Sequence, residues 1–159
     1  MASTVTASTL TVSLTESINL NGQEMGATNT KTIASINEIS KRIVTVTTAE
    51  AVIATFSSAV ASAGHYVAAN VRYVRFTNLD DSNFITLTFR NQDNDEVAIK
   101  LDAGQSFVWN GDNANGMTAV FNATQDADAA SDTAFGSLTN VQADANTSSC
   151  DLEIFVASV

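Results

Sequence analysis

Apolar and polar positions alternate with a period of two along much of this chain. In "TLTVSLTESINL", Leu10, Val12 and Leu14 fall on one face and Thr11, Ser13 and Thr15 on the other. That is the signature of a half-buried strand. The same alternation recurs in "FITLTFR" (84–90), with Ile85, Leu87 and Phe89 inward, and in "VAIKL" (97–101), with Val97, Ile99 and Leu101 inward. It recurs in "SFVWN" (106–110), with Phe107 and Trp109 on one face, and in "SCDLEIFVASV", with Cys150, Leu152, Ile154 and Val156 on one side. "AVIATF" (51–56) and "MTAVFNAT" (117–124) read as further strands, and "VRYVRFTN" (71–78) carries apolar residues on both faces, as expected deep in a sandwich.

One segment is ambiguous. In "TKTIASINEISKRIVTVTT", Ile33, Ile36, Ile39 and Ile43 have helical spacing, but Ile, Val and Thr favour strands. We read two strands with a turn near Asn37-Glu38, with a short helix as the alternative. Turn chemistry separates the runs: Asn21-Gly22 in "NGQEMG", "SSAVASAG" (57–64), "NQDNDE" (91–96), "DAGQ" (102–105) and "GDNANG". The first ten residues are small and polar and predict a flexible arm; an acidic Ala/Ser/Asp stretch from Gln125 to Asn146 predicts a surface loop. No strand alternates with a long helical pattern. The expectation is one all-β domain over residues 11–159, an antiparallel sandwich or jelly roll of about eight strands with little helix.

Composition narrows the function classes. The chain has 159 residues, enough for a core without disulfide or metal, and its single cysteine cannot form an intrachain bridge. Only 15% of residues are charged and none is proline. Net charge is −10 and unevenly placed: residues 1–100 hold nine acidic and seven basic side chains, residues 101–159 eight acidic and no basic ones. Such a chain repels polyanions, so neither nucleic acid nor an anionic membrane is an expected partner. The opening "MASTVTASTL" lacks the basic and apolar regions of a signal peptide, and no apolar run nears the ~20 residues of a membrane span.

Candidate chemistry is sparse. Asp80 and Asp81, in "FTNLDDSNFITLTF", read as a hairpin turn between two strands, because Asp and Asn side chains bond nearby backbone amides. "DNDE" (93–96) opens like a calcium loop but has Val97 and no glycine where the template continues. Asp126, Asp128 and Asp132 fit no template. His65 is the only histidine, which argues against zinc, and a Cys150–His65 nucleophile pair conflicts with the apolar strand face on which Cys150 falls. Trp109 and Tyr66 could stack on a sugar, but Trp109 shares its face with Phe107. We therefore expect no enzyme, no cofactor and no metal.

"NVRYVRFTNLDDSNFITLTF" followed by "VAIKLDAGQSFVW" resembles small virion proteins of tailed bacteriophages, those of marine phages in particular. The resemblance spans roughly residues 64–110, with a looser echo in "INEISKRIVTVTT". It implies a sandwich or jelly roll with a structural role and no catalytic residues. The implied protein is a homo-oligomeric decoration or cement subunit on the major capsid protein lattice, located in the virion. The alternatives are a neck or tail component contacting other virion proteins, or a host-surface carbohydrate-binding module. An arm such as residues 1–10 could add a strand to an exposed sheet edge of a neighbour. The candidate partner contacts are the apolar positions of that region: Val5, Leu10, Val12 and Leu14.

Overall fold

The computed structural model describes residues 5–109 and 138–159. Among these the strands are β1 (Ser8–Glu16), β2 (Asn19–Leu20), β3 (Gln23–Glu24), β4 (Ala27–Ile36), β5 (Glu38–Val46), β6 (Ala51–Ser57) and β7 (His65–Val67). They continue with β8 (Val71–Asn78), β9 (Ile85–Asn91), β10 (Glu96–Leu101), β11 (Ser106–Trp109), β12 (Leu138–Ala145) and β13 (Cys150–Ser158). One 3-10 turn, Ala68–Asn70, precedes β8. The expected strand at 117–124 and the aspartates 126, 128 and 132 lie outside the described residues.

Two sheets form the body, in the orders β10-β9-β12-β6-β7 and β11-β8-β13-β5. The antiparallel pairs β9·β10, β8·β11, β6·β12 and β5·β13 are nested in sequence, each enclosing the one before. A long antiparallel ribbon rolled over itself gives this order, and it is that of an eight-stranded jelly roll. β7 adds a parallel edge strand beside β6. The inward faces predicted for β9, β10, β11 and β13 form the main core, around Phe76, Phe89, Leu87, Leu152 and Ile154.

The four-stranded sheet is apolar on both faces. Val71, Val74 and Phe76 of β8 point into the main core, whereas Tyr73 points outward with Phe155 and Ala157 of β13. Strict alternation would put Val71 and Tyr73 on one side. A bulge prevents it: Tyr73 pairs with Ala157 but Val71 with Ser158, which leaves Arg72 as the extra residue.

The outward face is covered by a two-stranded ribbon, β1 with β4. Ile33 and Ile36 are buried against Tyr73 and Ala157, flanked by the half-buried Leu10 and Val12. Burying two isoleucines contributes on the order of 2 kcal/mol each. They lie three positions apart, so simple alternation would turn one outward. A second bulge resolves this: Leu10 pairs with Ile33 and Ser8 with Ile36, and Ser35 takes a left-handed φ of 64°. The helical spacing of Ile33 and Ile36 in the sequence is thus the mark of a bulged strand. Ile39 and Ile43 belong to β5 and are exposed.

Three expectations need correction. β1 begins at Ser8, inside the segment 1–10 read as an arm. β12 lies inside the stretch 125–146 read as a loop; its buried positions, Leu138, Val141, Gln142, Ala143 and Ala145, include a glutamine and two alanines, and its register is broken near Thr139, so alternation is weak. The link carrying Asp80 and Asp81 is a turn but not a hairpin, because β8 and β9 lie in different sheets.

That crossover is pinned by Asn78, which is fully buried. Its Nδ2 donates to the carbonyls of Asn83 (2.8 Å) and Leu101 (3.1 Å), and its Oδ1 accepts from the Asp80 amide (3.0 Å). Its backbone N–H donates to Gln105 (3.0 Å). One residue therefore ties the β8–β9 and β10–β11 crossovers together. Asn78→Ala should cost about 3 kcal/mol, because it strands buried carbonyls, and should lower the urea midpoint without changing the slope. At Ser35, replacement by Val should be about 1–2 kcal/mol less stable than replacement by Gly, since β-branched residues resist positive φ. Paired urea unfolding of the two variants measures that difference.

Candidate interaction surface

The distal ribbon stands clear of the sandwich: every residue from 13 to 32 except Gly26 is exposed. A two-stranded hairpin is marginal in water by itself, so its shape must be specified locally. One face is a ladder of hydroxyl residues, Thr11/Thr32, Ser13/Thr30 and Thr15/Thr28. Side-chain hydrogen bonds join Ser13 to Thr30 (3.3 Å) and Thr15 to Thr28 (3.1 Å). At the tip, Asn21 (φ 54°) and Gly22 (φ 83°) form the turn between β2 and β3, as the Asn-Gly dipeptide predicts. Glu24 Oε1 accepts from the Ile18 and Gly26 amides (3.1 and 2.8 Å). A Cβ on Gly26 would lie 2.1 Å from the Glu16 carbonyl, so only glycine fits there.

The opposite face of the ribbon continues the apolar row that docks it. Leu10 and Val12 turn onto the second core, while Leu14, next in that row, is 61% exposed. Ile18, Leu20 and Met25 at the tip are also more than half exposed, as is Val5 in the extended segment before β1. Of the four residues proposed from the sequence, Leu10 and Val12 hold the ribbon to its own sheet, and Val5 and Leu14 face solvent. Ile18, Leu20 and Met25 escaped sequence reading because they straddle turns, where alternation carries no signal.

Beside the docked part, Glu153 of β13 accepts from Lys41 Nζ (3.0 Å) and Arg75 Nη2 (2.5 Å). Arg75 also donates to Thr77 Oγ1 (2.6 Å) and stands over the Phe155 ring, 5.9 Å from its centroid. The bond from Lys41, with those from Arg75, holds the Glu153 carboxyl below its ordinary pKa. The β5 edge next to it is unpaired among the described strands, and Lys41 in its middle discourages strand addition.

The aspartate candidates among the described residues lie in turns and loops. Asp80 Oδ1 accepts from the Asn83 and Ser82 amides (2.6 and 2.9 Å), bonds that hold its pKa below the usual range. In the 93–96 loop, Asn91 Oδ1 accepts from the Asp93 and Asp95 amides (2.9 and 2.8 Å). Among the described residues no group of three or more His, Cys, Asp or Glu converges as a metal site. His65 lies on the edge strand β7 and Cys150 opens β13 in the other sheet. Burial, and then the Asp80 charge, push the Cys150 thiol up, opposite to the shift that activates a nucleophile. Tyr66 is buried with its hydroxyl on Ser40 Oγ (3.2 Å), and Trp109 packs on the main core beside Phe107.

No protein-family model, no curated protein and no solved structure matches the chain. Among the described residues no helix is long and apolar enough to cross a membrane.

The depressed Glu153 pKa has a consequence for acid stability. Its contribution is complete above the ordinary glutamate value of 4.5 and is lost as pH falls through the lower folded-state value. Glu153→Gln should cost about 1 kcal/mol at pH 7. It should also flatten the fall of the thermal midpoint between pH 5 and pH 3, read by circular dichroism melts. An unchanged acid limb would remove this carboxylate from the account.

Proposed function

We propose that the chain is a non-enzymatic structural protein of a tailed-phage virion, a decoration or cement subunit that binds the major capsid protein lattice. The observation that carries this reading is the projecting ribbon. It is anchored by a small core, shaped by turn chemistry, and apolar where it leaves the body. Preorganised elements of this kind lose little entropy on docking. The resemblance of residues 64–110 to phage virion proteins supplies the setting, and the jelly roll suits it, although a fold of this kind serves many functions. Weak single contacts repeated over a symmetric shell become strong together.

The test is the amount and position of the chain in purified particles. Quantitative mass spectrometry should find on the order of hundreds of copies per particle, and particle images should place them on the shell. A ring-like stoichiometry of a few copies would move the protein to the neck or tail. Absence from particles would end the virion reading.

A further inference from the structure

We propose that the ribbon is an exchange element: Asn37 opens as a hinge, and two copies of this chain dock their ribbons reciprocally, each on the other's four-stranded sheet. This deepens the decoration reading, on which its setting rests, by naming the neighbour that receives the ribbon.

The ribbon is a unit apart from the body. β1 and β4 form a two-stranded sheet of their own, outside both sheets of the sandwich. The hydroxyl ladder and the Asn21-Gly22 turn shape it from within, so its form does not depend on which copy it rests on. One residue joins it to the body: β4 ends at Ile36 and β5 begins at Glu38. That residue, Asn37, is exposed, and its N–H donates to the Ser158 carbonyl (3.0 Å) where ribbon meets sheet. Ser35 and its bulge lie on the ribbon side of the hinge and travel with it. The contact to be exchanged is complementary already. Ile33 and Ile36, flanked by Leu10 and Val12, close on Tyr73, Phe155 and Ala157. The first four lie before the hinge and the last three after it, so a second copy offers the same receiving residues. Exchange rebuilds the apolar contact residue for residue, and any further bond between ribbon and body with it. That is why such swapping is a low-cost route to a dimer.

The length of the link sets the balance. A short flexible link holds a docking unit at an effective concentration on the order of 1 mM, and a link too short to span its sites freely gives less. With Asn37 as the whole link, a second copy competes with the chain's own sheet at about 1 mM in solution. In dilute solution the closed monomer wins. Copies held side by side on a shell meet at high local concentration, and there exchange ties one to the next. Short hinges favour swapping for this reason, and lengthening them suppresses it.

Mixed-label nuclear Overhauser spectroscopy tests it on the wild-type chain. Isotope-labelled and unlabelled copies are unfolded together in urea, refolded and concentrated to about 1 mM, and the dimer is separated by size exclusion. The dimer should show cross-peaks from the Ile33 and Ile36 methyls of one copy to the Tyr73 ring and Ala157 methyl of the other. Inserting Gly-Ser-Gly after Asn37 should lower the dimer fraction by about tenfold or more, because the longer link lets each ribbon reach its own sheet freely. Circular dichroism melts check that this variant folds. Absence of a wild-type dimer at this concentration would overturn the proposal. So would a dimer whose cross-peaks all lie within one copy, or a dimer fraction that the insertion leaves unchanged. None of these failures touches the particle copy number, so the exchange and the decoration reading fall separately.

Discussion

A four-stranded sheet whose central strands are apolar on both faces cannot leave either face in water, and the rest of the molecule follows from that. β8 and β13 send Val74, Phe76, Leu152 and Ile154 inward, and Tyr73, Phe155 and Ala157 outward. The five-stranded sheet covers the first set. The proximal ribbon covers the second, and doing so fixes the direction in which the distal ribbon leaves the body. Two bulges, at Arg72 and near Ser35, adjust side-chain parity so that both contacts close. The left-handed Ser35 is a local cost offset by burying Ile33 and Ile36 together.

Much of this was legible in the sequence. Alternation in β9, β10 and β13 identified the correct inward faces, and Asn21-Gly22 marked a real turn. What stayed hidden depends on register or on distant partners. The two strands read on either side of Asn37 are β4 and β5, but the bulge at Ser35, which gives Ile33 and Ile36 their helix-like spacing, was not legible. β12 buries a glutamine and two alanines beside Leu138 and Val141, so its apolar alternation is weak. The Asp80-Asp81 link looked like a hairpin because local sequence does not reveal which sheet the next strand joins. The candidate contacts divided for a similar reason: Leu10, Val12 and Leu14 are one stripe in sequence, and only the position of the sheet edge decides that the first two dock inward while the third stays exposed.

The functional reading draws on what the ribbon can do rather than on reactive groups. Carboxylates that looked like candidates, Asp80 and Asp95, are tied into turns, and the Cys150 thiol is buried with a raised pKa. A preorganised apolar projection, a low share of charged residues and an uneven acidic balance suit a protein that meets neighbours repeatedly, and the proposal of a virion setting rests on the resemblance of residues 64–110.

The central claim is that the ribbon is docked on the outer face of the four-stranded sheet in the free, monomeric protein. Nuclear Overhauser spectroscopy at low concentration reads this directly. The account predicts cross-peaks from the Tyr73 ring and the Ala157 methyl to the methyls of Ile33 and Ile36. Absence of these cross-peaks, with ribbon amides exchanging as in an unfolded chain, would contradict it.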